Sequence, residues 1–184
     1  MSEISERYRN IASGFSARVD AVPAGAWDNP APCEGWVARD VIRHLVEWVP
    51  PVLADGAAIE LPGGPSVDDD PAGAWHALDR GMQSIIDDPE QANREFDHPQ
   101  AGQMSVEVAM NMIVVNDVFL HTWDLARATG LDETLDPEIA AEMLAGMEPY
   151  DEMLRSSGQY GPRVDVPDDA DVQTQLLAFI GRTP

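Results

Sequence analysis

The sequence predicts an all-α fold: a four-helix bundle with additional short helices toward the C-terminus. Three observations lead there. Apolar residues recur at three- to four-residue steps in successive segments, proline- and glycine-rich breaks separate those segments, and few runs show the two-residue alternation of a strand.

The first helix is expected over residues 3–21, where Ile4, Tyr8, Ile11, Phe15 and Val19 share one face. Pro23, Pro30 and Pro32 mark residues 22–35 as a loop. A second helix is expected over 36–49 and should stop or kink at Pro50 and Pro51, since proline removes a backbone N–H and crowds the preceding turn. Residues 56–71, with Gly63, Gly64 and the acidic run Asp68, Asp69, Asp70, read as a solvated loop. A third helix follows over 72–88, and 89–104 reads as a connection. Ser105 is the expected N-cap of a fourth helix that runs to Thr129, with Gly130 as its C-cap. Asp136 and Pro137 open a fifth helix that reaches Ser156. The segment SGQYGPRVDVP is irregular, and a last helix covers 170–180. With no internal repeat in 184 residues, the whole chain 1–184 is expected to form one domain.

Composition narrows the function. Acidic residues number 33 against 11 basic ones, all of them arginine, for a formal net charge of −22. That charge opposes binding to nucleic-acid phosphates and to anionic membrane surfaces. No apolar stretch approaches the roughly 18 residues of a membrane span, and the polar N-terminus does not resemble a signal peptide. A cytoplasmic protein, monomer or homodimer, is expected. The lone cysteine, Cys33, rules out an intrachain disulfide.

The segment VVNDVFLHTWDLARATG, residues 114–130, carries the candidate chemistry. Projected on a helix, Asp117, His121 and Asp124 fall on one seam with Val106, Met110 and Ile113, while Val, Phe, Leu and Trp occupy the rest of the circumference. A helix apolar nearly all round belongs inside a bundle, so Asp117 and His121, four residues apart, are expected to face inward together. A buried carboxylate needs a partner. One reading is an Asp–His hydrogen-bonded pair, with Arg127 nearby; the other is a metal ion held by both side chains. On the second helix His44 shares an inward face with Val37, Val41 and Trp48, which completes a set of two histidines and one carboxylate. His76 and His98 are weaker candidates for a fourth ligand. Cys33 is read as structural, because its acidic neighbour Glu34 opposes a second negative charge at the sulfur.

These segments resemble a known family. PCEGWVARDVIRHLVEW is similar to the helix that opens the DinB-like metal-binding bundles of actinobacteria, and residues 114–130 are similar to their signature D/E-x-x-x-H-x-W-D-L-A-R-A-T-G. The tail VDVPDDADVQTQLLAFIGRTP resembles their closing segment, which ends in G-R-x-P. The relatives include the metal-binding domain of mycothiol-dependent maleylpyruvate isomerase. The resemblance implies a bundle that binds one divalent metal through His44, Asp117 and His121, with zinc first and nickel, iron or manganese as alternatives. It assigns Asp124 the part of orienting a ligand or capping a backbone group, and Trp36 and Trp123 a packing part. Two departures stand out. The isomerase has Glu where this chain has Asp117, one methylene shorter, which would draw the ion toward the helix or place a water between. It also carries a further C-terminal domain for which this chain has no room, which argues against maleylpyruvate as substrate.

Two function classes follow. In one, a low-molecular-weight thiol such as mycothiol or bacillithiol meets a small electrophilic substrate at the metal, as in a thiol S-transferase or isomerase, with no protein nucleophile required. In the other, the chain is a non-catalytic metal-binding module.

Overall fold

The computed structural model describes every residue of the chain except Met1, Gln100, Ala101 and Ser157. Helices α1 (Glu3–Ala21), α2 (Ala38–Ala57) and α3 (Pro71–Asp87) are followed by a single turn, α4 (Pro89–Ala92), and a short antiparallel hairpin, β1 (Glu95–His98) and β2 (Gly102–Ser105). A composite helical run comes next: α5 (Val106–Ala109), a π-helical segment (Met110–Val115) and α6 (Asn116–Thr129). The long helices α1, α2, α3 and this composite run form the bundle; α1 and α2 each pack on both α3 and α6. Beyond it lie α7 (Pro137–Met147), a 3-10 turn (Glu148–Tyr150), α8 (Asp151–Ser156) and α9 (Val172–Phe179), with α9 packed on α7. The all-α, DinB-like bundle with extra C-terminal helices is the architecture found. No helix among the described residues is long and apolar enough to cross a membrane.

Helix starts obey capping chemistry. The Ser2 side chain accepts from the Ser5 N–H, Asp70 from Gly73, Ser105 from Val108, and Asp136 from Glu138 and Ile139. Gly130 closes α6 in the left-handed region, φ 71°, as its position foretold. The core runs the length of the bundle, with Tyr8, Phe15, Trp75, Leu45, Met110 and Trp123 all buried. Phe15 and Trp75 meet edge to face at 4.5 Å between ring centroids.

Four boundaries differ from the sequence expectation, each for a physical reason. Helix α2 begins at Ala38, because Val37 is still engaged in a bridge with Pro30, and Asp40 turns back to accept from the Val37 N–H at 2.9 Å. It then continues through Pro50 and Pro51 to Ala57, because Val49, Leu53 and Ala57 keep one buried face going and the packing outweighs the lost backbone bonds. The expected connection 89–104 contains α4 and the hairpin; only Phe96 on β1 is driven fully inward, so the two-residue alternation was too short to read. The expected fifth helix breaks after Met147, where Pro149 tightens the chain into a 3-10 turn. The π-helical segment was likewise not foreseen. Its wide turns shift the helix phase, so Ile113 is half-buried while Val114 and Val115 take the core positions.

Phe96 fixes how the hairpin meets α2. A Cβ placed on Gly56 would stand 2.2 to 2.7 Å from three atoms of the Phe96 ring, which is 1% exposed and has no room to retreat. Gly56→Ala is therefore expected to destabilise the protein by about 1–3 kcal/mol through overpacking, despite the better helix propensity of alanine. Urea denaturation would measure it, and a variant as stable as the parent would show that the hairpin does not pack rigidly on α2.

Candidate metal centre

Packing of α2 against α6 brings the histidine of one helix to the carboxylate of the other. The His44 Nε2 lies 3.0 Å from Asp117 Oδ2, and the His121 Nε2 lies 3.4 Å from Asp117 Oδ1. Candidate ligand atoms of all three residues fall within 4.8 Å of one another. Trp48, one turn beyond His44 on α2, donates its indole N–H to Asp117 Oδ2 at 3.2 Å. Trp36 flanks both histidines, its ring 5.2 Å from that of His44 and stacked at 5.8 Å on that of His121.

The loop before α2 delivers Trp36 and Cys33. The Trp36 N–H donates to the Cys33 carbonyl at 3.0 Å across a turn whose third residue, Gly35, has φ 78°. The Asn29 side chain donates to the Ala128 carbonyl at 3.1 Å and ties this loop to the end of α6.

Exposure falls steeply across the cluster. The side chains of His44 and Asp117 are 31% and 25% exposed, whereas those of His121 and Asp124 are 6% and 0%. The inward seam expected from the projection is therefore tilted: Asp117 reaches solvent on one side, and His121 and Asp124 do not. On the dry side His121 Nδ1 is 2.9 Å from Asp124 Oδ2. Arg182 closes the stack, donating from Nε to Asp124 Oδ1 at 2.8 Å and from Nη2 to Asp124 Oδ2 at 3.0 Å, and Nη2 also lies 3.0 Å from Cys33 Sγ.

The electrostatics follow from this order. Burial alone would push the His121 imidazole down, but the charge of Asp117 and the hydrogen bonds to Asp124 and Cys33 override it and raise its pKa to about 10. Burial pushes Asp124 up; its hydrogen bonds to His121 and Arg182 prevail and hold it at about 2. Asp117 stands below the usual carboxylate range because the charge of His121 and the hydrogen bond from His44 outweigh its burial. Burial, and then the negative charge of Asp117, raise the Tyr160 hydroxyl, which places that side chain within electrostatic reach of the centre.

The donor set fits a divalent ion. Two imidazoles and a carboxylate are donor types that a divalent ion takes; the His44 Nε2 stands 3.0 Å from Asp117 Oδ2 and the His121 Nε2 3.4 Å from Asp117 Oδ1, so the carboxylate turns one oxygen to each ring. The side chain of Asp117, although shorter than Glu, reaches both histidines. His121 spends Nδ1 on Asp124, which leaves Nε2 toward Asp117 and His44. A second group, Cys33, His121 and Asp124, also lies within 4.8 Å, but the Arg182 guanidinium already stands against its sulfur and its carboxylate as the local cation.

Other candidates lie elsewhere. His76 pairs with Asp20 at 2.7 Å, and His98 sits on β1 with its ring stacked 6.0 Å from Phe96. Arg127 pairs with Glu133 and covers the Trp123 ring, away from Asp117. The sequence places Trp48 on the face of His44 without giving it a role, and it does not mark Arg182 or Tyr160 as site residues. Trp48 had a legible signal, one helical turn from His44 on the same face; Arg182 had only its place in the closing motif; Tyr160 had none.

The pKa values set a pH dependence for the metal-free protein. The folded His121 value of about 10 exceeds the ordinary 6.5, so its contribution to stability is complete below 6.5 and is lost as pH rises to about 10. Asp124, lowered from 3.8 to about 2, contributes above 3.8 and loses that contribution as pH falls through 2. Stability of metal-free protein in urea is expected to decline between neutral pH and about pH 10, and His121→Gln should flatten the decline. An identical profile in the variant would place the responsible group elsewhere.

Comparison with known proteins adds a lineage. A profile of the mycothiol maleylpyruvate isomerase N-terminal domain matches residues 8–126, which hold His44, Asp117, His121 and Asp124. Uncharacterized proteins from two strains of Mycobacterium tuberculosis are 31% identical over 179 residues, covering 96% of this chain and 96% of theirs. No solved structure matches the chain. With its helical bundle, its profile match and its full-length mycobacterial relatives, the chain belongs to the mycothiol maleylpyruvate isomerase N-terminal domain family.

Proposed function

We propose that the chain binds one divalent metal ion through His44, Asp117 and His121, and that this centre serves a low-molecular-weight thiol in an S-transfer or isomerisation reaction on a small electrophile. The observation that carries the reading is the convergence of two imidazole nitrogens and a carboxylate from two helices, wet on one side and dry on the other. Zinc suits two imidazoles and a carboxylate; nickel, iron and manganese suit them as well. Such an ion would supply charge stabilisation to an anionic sulfur, so that the thiol is reactive near neutral pH.

The protein's own groups have separate tasks. His44 and Asp117 sit at the exposed rim, where a ligand can approach. Trp36 walls the two histidine rings, and Trp48 fixes one oxygen of Asp117. Asp124 holds the His121 ring from behind. The family's mycothiol association supports a thiol as the partner, and the thiol brings the nucleophile, so Cys33 is free to serve the buried network.

Purified protein is expected to hold about one zinc per chain, and His44→Ala and His121→Ala to lose at least about tenfold in affinity. Affinity should rise with pH, because a proton must leave His121 before its Nε2 can ligate. Parental affinity in both variants would refute the ligand assignment. Thiol chemistry has its own test: conjugation of mycothiol to a chromogenic electrophile should depend on added metal and vanish in His44→Ala. Metal binding without turnover would leave a binding module in place of an enzyme.

A further inference from the structure

Arg182 lies beyond the family match, 58 residues from Asp124 in the chain, yet it reaches the innermost part of the centre. The end of α9 explains how. The Gly181 N–H donates to the Ala178 carbonyl at 3.1 Å and the Arg182 N–H to the Leu177 carbonyl at 2.8 Å, with Gly181 at φ 87°. This is the left-handed glycine closure of a helix. A Cβ on Gly181 would stand 2.9 Å from the backbone of Gly161, so the turn is also seated against the preceding loop. The closure throws the Arg182 side chain back under α6, where it is 19% exposed.

Resting on the metal-centre reading above, we propose that Arg182 is a positioning residue that sets His121 for metal binding through Asp124. Its Nε and Nη2 each take one oxygen of Asp124, and this two-pronged contact fixes the plane of a carboxylate that is 0% exposed. Oδ2 is thereby aimed at His121 Nδ1, 2.9 Å away. A proton held on Nδ1 leaves the Nε2 lone pair for the ion and stops the ring from turning over. Without the guanidinium, Asp124 is a buried carboxylate left with the His121 ring and the Cys33 thiol, 3.5 Å from Oδ2, and its plane is no longer fixed by two prongs. The C-terminal segment is then part of the metal centre although it supplies no ligand.

Charge and positioning predict opposite signs. A guanidinium near the ion repels it, so removal of the charge alone would tighten binding. Loss of positioning weakens it. The experiment compares zinc affinities of the full chain, by competition with a chromophoric chelator between about pH 6 and 8, for the parent, Arg182→Gln, Arg182→Lys and His121→Ala. Thermal unfolding of each metal-free protein is recorded alongside. Arg182→Gln is expected to bind zinc about 10- to 100-fold more weakly, as is usual when the partner of a ligating histidine is disturbed. Arg182→Lys, which keeps the charge but not the fork, should fall between it and the parent. If Arg182→Gln does not fold, Arg182→Lys still decides. Parental or tighter affinity in a folded Arg182 variant overturns the proposal, even with a lowered unfolding temperature, which a merely structural role would produce. When His121→Ala loses zinc and the Arg182 variants keep it, only the role of Arg182 falls; when His121→Ala also keeps zinc, the metal assignment falls with it.

Discussion

The centre depends on one arrangement: an imidazole in the bundle interior held between two carboxylates. His121 has Asp117 on Nε2 and Asp124 on Nδ1, and both aspartates come from its own helix, four residues before it and three after. Helical spacing alone puts the three on one seam, so the ring is bracketed without any long-range contact. Tertiary packing then decides what that bracket means. In water each contact would be weak; in the dry interior the two negative charges outweigh the cost of burial and keep the ring protonated far above neutral pH.

Under the proposed metal reading, a proton and a divalent ion would compete for the same nitrogen. The protonated ring stands between both aspartates, 3.4 Å from Asp117 Oδ1 and 2.9 Å from Asp124 Oδ2, so its charge is paired on either side. In the reading proposed above, an ion that replaced the proton would meet the same carboxylate and the same Nε2, joined by His44 from the facing helix. Exposure falls from His44 at the rim to the sealed Asp124. Arg182, Cys33 and Asp124 form the floor beneath, a small charge-paired layer in which the loop before α2 and the turn after α9 meet α6.

The architecture serves this stack at several points. Helix α2 runs through two prolines and so carries its buried face past Trp48 to Ala57, against which the hairpin packs. The π-helical segment just before Asp117 changes the phase of the run between its two α-helical parts and brings Val114 and Val115 into the core. Gly35 and Gly181, both at positive φ, immediately precede Trp36 and Arg182, which reach the His121 ring and its partner Asp124.

Much of this was legible in the sequence where the information is local. Three- and four-residue periodicity marked the long helices, caps marked Ser105 and Gly130, and the spacing of Asp117, His121 and Asp124 marked a polar seam in an apolar helix. The inward face of α2 made His44 a partner, and the one-turn spacing to Trp48 held a clue that was not used. What tertiary structure alone decided is non-local. A hairpin of four-residue strands is too short for a periodic signal, and a proline-containing helix persists only because its far half is buried. The tilt that leaves Asp117 wet and Asp124 dry depends on which helices cover α6, and no spacing within α6 records it. Arg182 illustrates the limit most clearly: its partner is 58 residues away, and only the fold, turning the chain at the end of α9, brings the guanidinium to a carboxylate that is 0% exposed.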